Sequence, residues 1–395
     1  MNLPQRSSLS KYWQLDKNIV FLNHGSFGAT PTEVLKKQGE YRQKIEKDPV
    51  KFFERDYIGY WKESILTLSK FINADPEGLV FVTNATHGVN TVLKSLDLKR
   101  GDKIIVTDHT YQACRNTVEF VTKSAGAETV VVEIPFNVKG EKEIIDLILN
   151  SVCERTVLAL IDTVTSPTGM KMPFEEIINK LEKENVDVLL DAAHGAGLIE
   201  LDLKKMNAAY VTGNCHKWLC TPKGSAFLHI RGDKKKDIRP LSISHGASFE
   251  GNAQDKFEFE FSWPGTYDPT SWMCIPKSIQ HMEEMVDNGW DEIIRRNRKL
   301  AIKGRRILCD ELGIKVPFPD EMVTAIASME LPDKEIPPFS IQGDPLHNKL
   351  LDEYSIQVPI FPWESHNTRY IRISSQLYNH IDEYEYLAKA LNECV

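Results

Sequence analysis

What the sequence lacks narrows the field first. No apolar run approaches the roughly 20 residues that a membrane-spanning helix needs, and the opening MNLPQRSSLSKYW has no signal-peptide core. There is no basic excess either. Against 56 Asp and Glu stand 48 Lys and Arg, and the resulting net charge of −8 argues against a nucleic-acid or anionic-membrane partner. The one basic run, Lys234–Lys236, reads as a solvated turn. The seven cysteines are scattered, odd in number and without a CxxC pair, so neither a disulfide framework nor a zinc framework is expected. A reduced, cytoplasmic compartment follows. No internal repeat and no low-complexity tract is visible.

What is present is a chain of 395 residues, long enough to bury a large core and to split into two lobes. Short β-rich runs alternate with amphipathic stretches between about residues 79 and 230. Leu79–Thr83, Lys103–Thr107, Thr129–Glu133, Val157–Asp162, Asp187–Asp191, Ala208–Gly213 and Ala226–Ile230 read as strands. Val89–Leu96, Ala113–Ser124, Ile144–Cys153 and Phe174–Glu184 read as the helices between them. This alternation predicts an α/β fold, a mostly parallel seven-stranded sheet covered by helices on both faces, with ligands at the carboxyl ends of the strands. Beyond about residue 270 the character changes. Long charged helical stretches (Met282–Cys309), a proline-rich passage (Pro332–Pro345) and Arg369–Ser374 with a terminal helix suggest a smaller α+β lobe. The expected organisation is an N-terminal segment (1–30), a large domain (31–270) and a small C-terminal domain (271–395).

Three places can carry chemistry. Lys217 lies in Asn214-Cys215-His216-Lys217-Trp218, just past a strand and among apolar neighbours. Burial there would free its amine to attack an aldehyde, although a surface-loop lysine is the plain alternative. Asp191 ends the apolar strand Val188–Asp191 and needs a partner there. A protonated pyridine nitrogen is one such partner, and that pairing makes pyridoxal 5′-phosphate (PLP) an electron sink; a helix N-cap is the other role for an aspartate in this position. Phe81–Asn90 runs from a strand through a small-residue turn into a helix. The N–H groups of that helix, with the Thr86 hydroxyl, suit a phosphate, and an ordinary N-cap would read the same. Asp191 and Lys217 lie one strand unit apart, so neighbouring strand ends can present both to one ligand.

These residues, together with Phe21–Gly28, Trp263–Asp268 and Arg372-Ile373-Ser374, resemble the fold-type I PLP enzymes. The similarity is to the class V aminotransferase group, and within it to the isopenicillin N epimerase-like branch, which includes cysteine C–S lyases. The resemblance covers nearly the whole chain. It implies a Schiff base on Lys217, which would then shuttle the α-proton, and an Asp191 partner for the pyridine nitrogen. Ala85, Thr86, Asn214 and His216 would hold the phosphate, and Ser166 or His194 would contact the ring oxygen. His109 would stack on the pyridine, with Tyr111 as a rival for that place or a proton donor. Thr266 would reach the phosphate in the neighbouring subunit of a homodimer. Arg372, with Asn23 and His24 of the N-terminal segment, would hold the substrate amino acid. Without the resemblance, Arg372 could be in a surface ion pair, His109 a satisfied polar residue and Tyr111 part of the core. His24, His87 and Tyr111 remain as candidate proton donors.

One departure shapes the expected reaction. Cysteine desulfurases carry a nucleophilic cysteine on a small-lobe loop, whereas here no cysteine lies between Cys309 and Cys394, and Cys274 precedes the first long small-lobe helix. A persulfide-forming enzyme is therefore disfavoured. C–S cleavage of a cysteine or cysteine conjugate, giving pyruvate and ammonia, is the preferred reading. Epimerisation comes second, transamination third. A PLP-less binding scaffold is the alternative from another class, and the presence of Lys217, Asp191 and Thr86 together speaks against it.

Overall fold

The computed structural model describes residues 3–332, 343–363 and 368–394. Its centre is a seven-stranded sheet built from β1 (Leu79–Val82), β2 (Lys103–Thr107), β3 (Glu128–Val132), β4 (Thr156–Asp162), β5 (Asp187–Ala192), β6 (Tyr210–Asn214) and β7 (Ala226–Ile230). The spatial order is β1-β7-β6-β5-β4-β2-β3, and all neighbours are parallel except that β7 runs antiparallel to both β1 and β6. The α/β reading from sequence holds, with strand ends shifted by one or two residues. Helices cover both faces, so the central strands are buried end to end and read as continuous apolar runs.

The longer helices linking these strands are α1 (Ala85–Ser95), α2 (Gln112–Ala125), α3 (Glu141–Leu149) and α4 (Phe174–Lys183). In α4 the residues Phe174, Ile177, Ile178 and Leu181 form one buried stripe at helical spacing. Each such side chain contributes roughly 1.5–3 kcal/mol by leaving water. The α1 helix begins four residues earlier than its apolar pattern suggested. Asn84 caps it by accepting from the His87 N–H at 2.8 Å, and polar first-turn residues hide a helix start from a periodicity reading. Gly88 lets α1 lie against β6, because a Cβ there would meet Thr212 Oγ1 at 2.1 Å. That close packing sets the N-terminus of α1 beside the end of β6.

The second sheet is antiparallel, with β8 (Ile326–Glu330), β9 (Ile360–Trp363) and β10 (Thr368–Ser374) in the order β9-β10-β8. It packs with α5 (Gly289–Glu311) and the C-terminal α6 (Ile381–Asn392). The charged helical stretches expected over Met282–Cys309 fall in two helices. One helix stops at Glu283, and α5 starts at Gly289, directly after Asn288; both residues have positive φ. Val20–Phe21 pairs in parallel with Ile356–Gln357, which ties the N-terminal segment to this C-terminal part. Most of the proline-rich passage, residues 333–342, lies outside the described residues; Pro345 opens a capped helix, Pro345–Tyr354. Among the described residues, no helix is long and apolar enough to cross a membrane.

Candidate active site

Lys217 sits on a tight loop after β6. The Cys215 and His216 N–H groups both donate to the Ser225 carbonyl, at 3.0 and 3.1 Å, and the Cys220 N–H closes onto Lys217 O at 3.2 Å. The N-terminal segment braces the same loop. His24 Nε2–H donates to Lys217 O at 3.0 Å, and the Tyr378 hydroxyl donates to His24 Nδ1 at 2.9 Å. Both His24 nitrogens are thus taken up by protein, and burial holds its pKa down to about 3. Gly28 (φ +70°) passes so close that a Cβ would fall 2.1 Å from His216 O. Only glycine combines that backbone conformation with that approach.

The Lys217 amine points to His194, with Nζ 3.1 Å from Nε2. The Trp218 Nε1–H donates to His194 Nδ1 at 3.2 Å, so the proton of the neutral imidazole is on Nε2. Burial first, then the charge of Lys217, keeps His194 well below its ordinary pKa. Burial and the nearby Arg372 charge lower the Lys217 amine from 10.5 to about 8. The contact therefore suits an Nε2–H donating to the lone pair of a neutral amine, the form that can attack a carbonyl.

Asp191 lies at the end of β5, opposite Thr212 of β6 in register. It is buried; among the described residues Oδ1 accepts from the Ala193 N–H at 2.8 Å and Oδ2 only from the Cys114 thiol at 3.5 Å. Burial raises its pKa, and among the described residues no cation forms an ion pair with it. Beside it, α1 offers its N-terminus. The Ala85 N–H donates to Asn214 Oδ1 at 2.9 Å and the His87 N–H is held by Asn84, which leaves the Thr86 amide between them, while the Thr86 hydroxyl reaches the Cys114 thiol. His216 Nδ1–H donates to Ser225 O at 2.9 Å, so Nε2 would need a second proton to serve a phosphate. Burial works against that proton, taking the pKa to about 4.

Arg372, central in β10, is 1% exposed. Nη2 donates to Ser26 Oγ at 2.9 Å and Nη1 to Ser166 O, while Nε has no acceptor among the described residues. Phe361 lies under the guanidinium at 5.0 Å. No described carboxylate pairs with it, so the surface ion pair left open by the sequence is not what forms. Burial lowers its pKa to about 10. Ser26 Oγ also donates to Asn23 Oδ1 at 2.5 Å, which joins the N-terminal segment to the guanidinium.

The other expected residues differ in burial and in their partners. His109 is buried, with Nδ1 at 2.7 Å from Thr168 Oγ1, Nε2 at 2.8 Å from Ile134 O, and its ring against Trp363. Tyr111, just before α2, is 46% exposed and close enough to Arg372 for its charge to be felt there, so it is not a core residue. His87 faces Thr83, at 3.1 Å, and Thr266 is exposed. Ser26, Tyr378, Cys114 and Asp162 were not singled out from sequence. For Asp162 the signal was there, since Leu158–Asp162 is an apolar strand ending in a carboxylate, just as Val188–Asp191 is.

The arrangement fits PLP. A neutralisable amine, a buried carboxylate short of a cation and a helix N-terminus with an open amide surround one site at the carboxyl ends of β5 and β6. Comparison with known proteins agrees with this geometry. A probable L-cysteine desulfhydrase, chloroplastic, of Arabidopsis thaliana is 29% identical over 98% of this chain and 85% of its own length. Isopenicillin N epimerase of Streptomyces clavuligerus is 27% identical over 96% and 95%. The apo structure of a cysteine desulfurase from Thermococcus onnurineus NA1 has the same fold, with a TM-score of 0.80 and 21% identity over 100% of this chain and 99% of that one. Residues 22–335 match the family described as Aminotransferase class-V, and the chain belongs to that family.

Proposed function

We propose that this protein is a PLP-dependent lyase that cleaves the C–S bond of cysteine or a cysteine S-conjugate. For cysteine itself the balance is cysteine plus water giving pyruvate, ammonia and hydrogen sulfide. The observation that carries the reading is the Lys217 amine, held 3.1 Å from a neutral His194 and beside a buried Arg372 that has no carboxylate partner among the described residues. When bound, the cofactor supplies an aldehyde for amines and a ring that spreads negative charge from the α-carbon.

The protein's own groups do the rest. Arg372 grips the substrate carboxylate with a planar fork of donors, which fixes the α-carbon over the site. Lys217 Nζ takes the α-proton as general base; a pKa of about 8 leaves a useful fraction of free amine near neutral pH. His194 Nε2–H holds Nζ, and would be the donor to the ring oxygen once the cofactor is bound. Asp191 would supply the negative charge that partners the ring nitrogen, and Thr86 with Asn214 would hold the phosphate. Tyr111, exposed and near Arg372, is better placed than the enclosed His109 to cover the ring or to protonate the leaving sulfur. His24 braces the Lys217 loop from below.

The buried cysteines support elimination without a persulfide carrier. Cys274 and Cys309 are buried, with thiols pushed up to about 12 and about 11. Relatives named as cysteine desulfhydrases and as a hercynylcysteine sulfoxide lyase carry the same emphasis on the C–S bond. The reading includes a cytoplasmic homodimer, in which the exposed Thr266 serves the partner's site. The isopenicillin N epimerase relative supports the second reading, epimerisation. Pyruvate release from cysteine and its S-conjugates, followed beside deuterium exchange at Cα, separates the two. Pyruvate is expected; exchange with inversion and no pyruvate would establish the epimerase.

A further inference from the structure

Two carboxylates, not one, lie at the floor of this site. Asp162 ends β4 and is the direct Cα partner of Asp191 in the parallel ladder, so both side chains stand on the same face of the sheet. Both are buried, at 4% and 3% exposure. Their partners are unequal. Asp191 accepts from the Ala193 N–H and the Cys114 thiol. Asp162 meets the Thr110 hydroxyl, and its Oδ2 has no partner among the described residues. The other titratable groups facing the pair are Lys217 from the loop after β6 and Cys114 from α2. Neither forms an ion pair with Asp162 among the described residues.

We propose that Asp162 is the protonated member of a carboxyl pair with Asp191, a positioning residue that limits the floor of the site to a single negative charge, carried by Asp191. Like charges on neighbouring buried strand ends cannot both persist, and the proton settles where donors are fewest. Burial and the Asp191 charge both act on Asp162 in that direction. This goes beyond the C–S lyase reading. It rests only on Asp191 being the acid below the ring nitrogen, and the pair itself is a property of the protein.

Infrared spectroscopy of the holoenzyme tests it. A wild-type minus D162N difference spectrum at neutral pH is expected to show a carboxylic acid C=O stretch that shifts in D2O. It also separates Asp162 from Glu383, another buried acid, with a pKa raised to about 7. No such band, or a carboxylate band in its place, would overturn the proposal. D191N provides the second measurement. Without its charged neighbour, Asp162 is expected to ionise at lower pH, whereas an unchanged titration would show that the two do not form a pair. The cofactor's dissociation constant, measured by equilibrium dialysis, is expected to stay at the wild-type value in D162N and to rise about tenfold or more in D191N. An equal loss in both variants would mean that Asp162 carries charge. These infrared bands do not depend on turnover, so a failure of the lyase reading would leave the result intact.

Discussion

Replacing Arg372 with glutamine separates substrate binding from structure. The guanidinium is buried, makes two protein hydrogen bonds, to Ser26 Oγ and Ser166 O, and has no carboxylate partner among the described residues. If it holds the substrate carboxylate through two charge-assisted bonds, each contributes about 1.5–3 kcal/mol. Their loss then costs about 3–6 kcal/mol, or roughly 10²–10⁴-fold in kcat/KM. Stability should respond little. Burying the guanidinium already works against its charge, which is why its pKa falls to about 10; relief of that desolvation offsets the lost bonds to serine. R372Q is therefore expected to melt within about 4 °C of the wild type, with full cofactor content. The assay is hydrogen sulfide release, a product common to both substrates, from cysteine compared with cysteinamide. The change that an added amino acid makes in the cofactor's visible absorption gives a readout that does not depend on the reaction catalysed. Wild type should prefer the free carboxylate strongly and R372Q should not. A kcat/KM within about threefold of wild type, or an undiminished preference for the carboxylate, would refute the reasoning.

Cofactor uptake by the apoenzyme is expected to accelerate with pH, with a midpoint near 8. Below that pH Lys217 is an unreactive ammonium and above it the free amine; a midpoint near the ordinary lysine value of 10.5 would show that the amine is not desolvated. G28A forces a side chain onto the Lys217 loop at positive φ, so a destabilisation of about 2–5 kcal/mol is expected in chemical denaturation, together with reduced cofactor content. Y378F removes the donor to His24 and should cost about 1 kcal/mol. It should lower kcat more than it changes KM, because the pair positions Lys217 and not the substrate.

Much of this was legible in the residues, for identifiable reasons. The sheet showed itself because strands buried on both faces are continuous apolar runs, and Lys217 and Asp191 showed themselves because charges at such strand ends need a purpose. The start of α1 did not, since Asn84 and Thr86 carry no periodicity. The break before α5 rests on two left-handed residues, Asn288 and Gly289, inside an otherwise helical charge pattern. The roles of His24 and His109 were the hardest to read. A histidine that accepts from one side chain and donates to one carbonyl looks, in sequence, the same as one that faces a ligand. Asp162 was passed over although its strand ends as that of Asp191 does, because a single carboxylate already satisfied the chemistry.

The central claim is that one lysine holds the cofactor. Reducing the holoenzyme with borohydride and mapping the peptides by mass spectrometry tests it directly. A phosphopyridoxyl group on residue 217, lost together with the visible absorption in K217A, is the expected result. A modified lysine elsewhere in the chain, or a K217A variant that keeps its cofactor band and full turnover, would contradict the account.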